Sequence, residues 1–396
     1  MPSICFYFQV HQPVRLNRFS VFNIGNQEEP FFTYFDHSLN KKIFEKVANK
    51  CYLPTNKLLL ELIRKYDGRF RISFSLTGTF VEYCERYLPN VLDSFKDLFK
   101  TGAVDLIDET YFHSLSGLYD DLEEFEDQVK MHRQMIKRIF NYKPKVFRNT
   151  EAIYDNRIAR KVSEMGYKGI LTEGAEKILG WRSPNFVYKA LNSPLKVLMR
   201  NYKLSDDVGF RFSARNWPGY PLTADKYANW MSNSFGDVIN LFMDYETFGE
   251  HQWTETGIFE FLRHLPGEVF KHDCLDFATV SEAVERYNAV DEVDVPWAIS
   301  WADEDRNVST WLGNNMQIAC FNELKDIGRK LKKKKNMDLL YVWRLLQTSD
   351  HLYYMSTKGF EDGAVHAYFS PYDIPYDGFI NYMNILQDLK DKVDAR

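Results

Sequence analysis

Glu151 and Asp244 are the residues of this 396-residue chain with the clearest chemical capacity. Two carboxyl groups facing one bond between sugars are enough to break it. One attacks the anomeric carbon or activates water, and the other protonates the leaving oxygen. Retaining chemistry needs a carboxyl separation of roughly 5 to 5.5 Å, and inverting chemistry roughly 6.5 to 9.5 Å. The two residues lie far apart in sequence, so only the fold can bring them together. Asp244 directly follows the apolar run 238–243, where partial desolvation raises a carboxyl pKa and suits an acid. Glu151 follows Arg148, Asn149 and Thr150, a polar stretch that suits an ionised nucleophile. Strand neighbours alternate faces, so Arg148 need not touch Glu151.

Other reactive side chains also follow apolar runs. The run 4–10 ends at His11-Gln12, the run 103–107 leads to Asp108, Glu109 and His113, and the run 169–172 ends at Thr172-Glu173. His11 is read as a hydrogen-bond donor to a sugar hydroxyl or to the nucleophile, or equally as a satisfied structural histidine. His113 has the same two readings. Glu246 shares a face with Asp244 if the strand extends that far, and would then tune the acid or bond to a neighbouring strand. His251 and Trp253 follow in the loop, where Trp253 offers either an aromatic platform for a sugar ring or ordinary packing. A rival metal site, as in polysaccharide deacetylases, needs an Asp and two His around an open position. His11, Asp108, His113 and His251 supply the types, but no HxxxH pair on a helix supports the set. No metal and no cofactor are expected.

These residues need a scaffold. Short β-rich runs at 4–10, 71–76, 103–107, 145–148, 169–172, 195–199 and 238–243 alternate with helical patterns at 58–66, 91–99 and 125–140. Strand–helix alternation argues for an α/β fold with a parallel sheet, whose active sites gather at the C-terminal strand ends. Past about residue 290 the β-rich runs stop. Met316, Cys320, Leu324, Ile327 and Leu331 form a helical stripe, 337–354 reads as a second helix and 379–389 as a third.

Composition narrows the classes. Aromatic residues make up 16% of the chain, enough to fill a large core and also to line a sugar-binding cleft. A net charge of −5 argues against nucleic acid as a partner, and the basic run 332–335 reads as a solvated helix end. Five widely spaced cysteines with no CxxC pair fit neither a disulfide framework nor a zinc–thiolate site, so a reducing, cytoplasmic location is expected. No run is long enough to span a membrane and the first residues lack a signal-peptide pattern. Oligomeric state is not readable.

The motifs resemble, in order, those of family 57 glycoside hydrolases, a group of retaining enzymes acting on α-glucans. His11-Gln12-Pro13 resembles the first motif. Residues 102–107 with Tyr111-Phe112-His113 resemble the second, lacking its glycine-rich centre and carrying His113 where other members often have Glu. Phe147-Arg148-Asn149-Thr150-Glu151 is similar to the third, Met243-Asp244-Tyr245-Glu246-Thr247-Phe248-Gly249 to the fourth, and Gln347-Thr348-Ser349-Asp350 with Tyr353 to the fifth. The resemblance implies an incomplete (β/α)7 barrel over 1–290, followed by a helical-bundle domain over 291–396 that contributes to the cleft. It implies Glu151 as nucleophile, Asp244 as general acid/base, and substrate contacts from Asp350 and Tyr353. The implied substrate is an α-glucan or malto-oligosaccharide. Ser300-Trp301-Ala302-Asp303 and Trp311-Leu312-Gly313-Asn314 resemble the α-amylase-like subgroup. A 4-α-glucanotransferase using the same dyad remains an alternative. So does a non-catalytic glucan-binding protein, because some subgroup members lack a catalytic carboxylate; this chain has both.

Overall fold

The computed structural model describes residues 2–26, 28–358 and 370–395. Its first strand, β1 (Ser3–Val10), is buried along its whole length. A strand covered on both faces reads as a nearly continuous apolar run, as residues 4–8 do here. It lies between β2 (Ile72–Leu76) and β8 (Val238–Asp244), with β3 (Val104–Leu106) beyond β2. All these pairings are parallel, and the register sets Gln9 opposite Asp244. The short β9 (Asp276–Phe277) pairs with the start of β1.

A second sheet has the order β10 (Glu292–Val293), β6 (Val187–Ala190), β7 (Lys196–Arg200), β5 (Gly169–Glu173) and β4 (Val146–Arg148). It is parallel except for the β6–β7 hairpin. The sheets touch at both ends. Asp108 N–H donates to Val146 O at 3.1 Å and Arg148 N–H to Asp108 O at 2.9 Å, joining the β3 side to β4. Across the other gap, Asn201 N–H donates to Asn240 O at 2.9 Å and Asn240 Nδ2 to Met199 O at 2.8 Å.

The seven expected runs correspond to β1–β5, β7 and β8, with no end displaced by more than one residue. The β6 hairpin arm, β9 and β10 were not expected. They are short pieces that carry no periodic signal of their own. The last of them lies just past residue 290, so the sheet continues beyond the expected boundary.

Side-chain alternation separates two cores. Cys5, Tyr7, Ile107, Val146, Leu171, Leu198 and Phe242, drawn from both sheets, form one cluster. The opposite strand faces, including Phe6, Phe8 and Phe147, join a larger cluster with the helices. Beyond Val293 the described regular elements are helices, chiefly Asn315–Lys334, Met337–Leu345, Ser349–Tyr353 and Pro375–Ala395.

The single helix expected over 337–354 is therefore broken. Thr348 is extended (φ −54°, ψ 138°), Ser114 bridges to Thr348, and Ser349 N–H donates to His113 O at 2.9 Å. Pairing with the loop after β3 overrides helical continuity and turns Ser349 and Asp350 toward the strand ends. The basic run closes its helix as expected, although Lys332 also pairs with Glu124 and Asp127. All five cysteines are free, and among the described residues no helix is long and apolar enough to cross a membrane.

Candidate active site

One step of two residues along each strand leads from the small apolar core to a polar layer. Tyr7 gives way to Gln9, Ile107 to Glu109, Val146 to Arg148, Leu171 to Glu173, Leu198 to Arg200 and Phe242 to Asp244. Going round the strands from Glu109 to Asp244, the charges alternate in sign. Gln9 Nε2 donates to Glu109 Oε1 at 3.0 Å, and Arg200 Nη1 to Glu173 Oε2 at 3.1 Å. Arg306 reaches Glu173 as well, at 3.3 Å.

Glu151 stands above this layer in the turn Thr150–Ala152, which follows β4. Its backbone is left-handed, with φ +57°, and Ala152 follows at +52°. Two consecutive non-glycine residues in this region are strained, and strain of this kind gathers at functional sites. Three side chains hold the carboxylate. His113 Nε2 lies 3.3 Å from Oε1, Ser349 Oγ donates to Oε1 at 2.9 Å, and the Trp301 indole N–H donates to Oε2 at 2.9 Å. The Trp301 backbone N–H also reaches the Glu151 carbonyl, at 3.3 Å. Burial on its own would raise the Glu151 pKa. The hydrogen bond and charge of His113, the Arg148 guanidinium and the Trp301 donor outweigh it and hold the carboxyl below its usual range.

His113 is kept cationic. Burial opposes its charge, but the bonds to Glu109 Oε2 at 3.4 Å and to Glu151 push its pKa up to about 9. His11 behaves differently. Burial and the nearby His113 cation lower its pKa. Its Nε2 is 3.0 Å from Asp350 Oδ2 and its Nδ1 is 3.1 Å from Thr77 Oγ1. A carboxylate only accepts, so His11 carries its proton on Nε2 and accepts from Thr77 at Nδ1. Burial works against the Asp350 charge, but His11, His113 and Thr348 hold its carboxyl below the usual range.

Asp244 ends β8 beside Gln9, and its carboxyl makes no protein hydrogen bond among the described residues. Burial first, and then the Glu151 charge, push its pKa up to about 6 against the pull of Arg148, His113 and Arg200. The strand stops there, so Glu246 does not share a strand face with Asp244 as expected. It lies in the turn Tyr245–Thr247 and accepts from Tyr52 Oη, while burial and the Asp244 charge raise its pKa to about 8. Gly249, with φ +111°, shapes the exit of this turn; a Cβ there would meet Lys50 O at 2.1 Å.

The remaining expected residues scatter. His251 is partly buried behind the turn, its pKa lowered to about 4 by burial. Trp253 is 52% exposed, with Lys50 Nζ 5.0 Å from its ring centroid. Tyr353 packs, half-buried, on the helix that carries Asp350. Trp301 and Ser349 were not selected from the sequence, and Glu109 was noted there as reactive without a role. All three lie within quoted segments, but residue type alone gave no sign that they would meet Glu151 or His113. Among the described residues, no group of three or more His, Cys, Asp or Glu side chains is set to hold a metal ion.

Comparison with known proteins places this geometry in context. The family model described as Glycosyl hydrolase family 57 matches residues 5–296. A Methanocaldococcus jannaschii protein that carries the provisional name alpha-amylase is 54% identical over 98% of this chain and 84% of its own length. Among solved structures, the branching enzyme of Pyrococcus horikoshii aligns with a TM-score of 0.69 at 15% identity, over 98% of this chain and 88% of its own. The 4-alpha-glucanotransferase of Thermococcus litoralis aligns with a TM-score of 0.59 at 16% identity, over 89% of this chain and 51% of its own, so the chain spans about half of that enzyme.

Proposed function

Since the chain belongs to glycosyl hydrolase family 57, we propose that it is a retaining α-glycosidase acting on α-glucans and malto-oligosaccharides, with Glu151 as nucleophile and Asp244 as general acid/base. The observation that carries this reading is the unequal setting of two carboxyls: His113, Ser349 and Trp301 hold the Glu151 carboxylate, while Asp244 ends β8 with no protein hydrogen bond among the described residues. Glu151 is held ionised and Asp244 is raised to about 6. A site that drives two such pKa values apart has an acid and a nucleophile ready together.

In the first step a Glu151 oxygen forms a bond to the anomeric carbon as the glycosidic C–O bond breaks. The leaving oxygen keeps the bonding pair and takes the Asp244 proton. In the second, Asp244 removes a proton from water and the ester is cleaved with retention. His11, His113, Glu246 and Asp350 are assigned to substrate contact near this centre, and His251, Trp253 and Tyr353 to contacts farther along a glucan. The seven strands β1–β5, β7 and β8 are read as one incomplete (β/α)7 barrel. The links through Asp108 and Asn240 support that reading. The helices past 290 are read as a second domain that lends Ser349 and Asp350 to the cleft. Four buried thiols fit a cytoplasmic setting.

Glu151→Gln is expected to abolish turnover of maltoheptaose, and a mechanism-based glycosyl inhibitor is expected to label Glu151 in the native enzyme. Near-normal turnover in the variant overturns the proposal. The maltoheptaose products separate hydrolysis from transfer by the same dyad: shorter sugars alone for the former, longer ones for the latter.

A further inference from the structure

Among the described residues, Arg148 is the one cation of the polar layer with no hydrogen-bonded partner. It is only 1% exposed, yet Nε, Nη1 and Nη2 all lack an acceptor. A buried guanidinium left this way is unusual, because donors taken out of water are expensive to leave unpaired. The other cations around it are committed. Arg200 is bonded to Glu173 and Asp206, Arg306 to Glu173 and the Trp301 carbonyl, and His113 to Glu109 and Glu151.

What Arg148 has instead is a ring face. Its guanidinium carbon lies 4.3 Å from the centroid of Trp301, the residue whose indole N–H holds Glu151 Oε2. Cation–π contact of this kind fixes both partners when water is excluded. Arg148 also projects from β4 into the layer that holds Asp244, and its charge is felt at both carboxyls. The reaction proposed above moves one negative charge. Glu151 loses it on forming the glycosyl ester, and Asp244 gains it on giving up its proton. A cation hydrogen-bonded to one carboxylate would favour one end of that movement. A cation bonded to neither carboxylate and held by a ring instead favours neither end and need not reorient, which is electrostatic preorganisation.

We propose that Arg148 is a positioning residue for this site, the shared counter-cation that carries Trp301 on its planar face and compensates the negative charge as it passes from Glu151 to Asp244. This rests on the assignment of those two residues. Other charged or titratable groups lie near the pair on the neighbouring elements: His11 after β1, His113 and Glu109 after β3, Glu173 on β5, Arg200 on β7, Glu246 after β8, Asp350 on the helix Ser349–Tyr353, and Arg306 beside Trp301. The variants therefore change only the guanidinium.

The test compares Arg148→Met and Arg148→Lys with the native enzyme on a malto-oligosaccharide, following kcat and the pH dependence of kcat/KM, with circular dichroism to verify folding. In Arg148→Met both limbs are expected to move up by about one pH unit, the effect of removing a unit charge several ångströms away at an effective dielectric of about 20. Its kcat is expected to fall by about 10- to 100-fold. Arg148→Lys keeps the charge and loses the planar face. Its limbs are expected to stay in place while KM rises as Trp301 loosens. A folded Arg148→Met with native limbs and kcat overturns the inference. If the Met variant does not fold, Arg148→Lys decides, and limbs displaced by a full unit in it overturn the inference instead. Glu151→Gln is run alongside. If it is inactive while Arg148→Met behaves as native, only the Arg148 role falls. If it turns over normally, both fall.

Discussion

The imidazole rings of His11 and His113 lie face to face, with centroids 4.0 Å apart and planes 21° apart. Two stacked imidazolium ions would repel, so the pair divides its protons. His113 takes the charge between Glu109 and Glu151, and His11 stays neutral against Asp350. The stack thereby ties the proposed nucleophile to the helix after the break at Thr348.

Replacing His113 by Gln removes a cation from Glu151, so the acidic limb of kcat/KM is expected to move to higher pH. Stability follows the same charge. The folded His113 pKa of about 9 lies above its ordinary 6.5. Its stabilisation is therefore complete below pH 6.5 and is lost as pH rises through about 9. Thermal melts are expected to show the widest gap between native protein and His113→Gln at pH 6, a gap that narrows from pH 6.5 and is lost above about 9. A gap constant from pH 5 to 10 contradicts a cationic His113.

Asp244 runs in the other direction. An acid raised on folding binds more protons in the native state, so stability falls as pH rises from 3.8 to about 6. Asp244→Asn is expected to gain on the order of 1–3 kcal/mol at pH 7, a gain that vanishes below pH 3.8. The same variant should lose about 10²- to 10⁴-fold in kcat on natural glucans, as expected when a general acid is removed. Denaturant melts at pH 3.5 and 7 check the first outcome, and steady-state kinetics check the second.

Glu246 offers a contrast. With a pKa of about 8 it is protonated at pH 6, where Gln is its near-isostere. Glu246→Gln should keep most of its activity at pH 6, unlike Asp244→Asn. Parallel pH profiles of the two variants measure this, and equal losses would mean that Glu246 works ionised.

Ser349 gives Glu151 a hydrogen bond from the far end of the chain. Its replacement by Ala removes a donor to a charged group, a loss of about 1.5–3 kcal/mol in local interaction. The expected result is a raised acidic limb and a lower kcat/KM, with KM little changed. An unaltered pH profile would assign Ser349 to packing alone.

Trp253 is exposed enough to test as a sugar platform without disturbing a core. Trp253→Ala is expected to raise KM for long malto-oligosaccharides at unchanged kcat. Its effect on unfolding free energy should stay within about 0.5 kcal/mol. An unchanged KM across chain lengths removes Trp253 from the substrate path.

The amino-acid sequence by itself determined the seven strands, because β-rich runs buried on both faces leave a nearly continuous apolar signal such as residues 4–8. The resemblance of the motifs, rather than position after a run, singled out Glu151 and Asp244, because His11, Glu109 and Glu173 follow apolar runs in the same way. The break in the helix expected over 337–354 was decided elsewhere: the backbone of Ser114 and His113 competes for Thr348 and Ser349, and no local periodicity records a partner more than 200 residues away. The same holds for Trp301 on Arg148, for His11 on Asp350, and for the end of β8 at Asp244. Contacts between distant segments arise from packing and charge pairing in three dimensions. Alternation along a strand can say which face Arg148 occupies, but only the tertiary structure decides what it meets there.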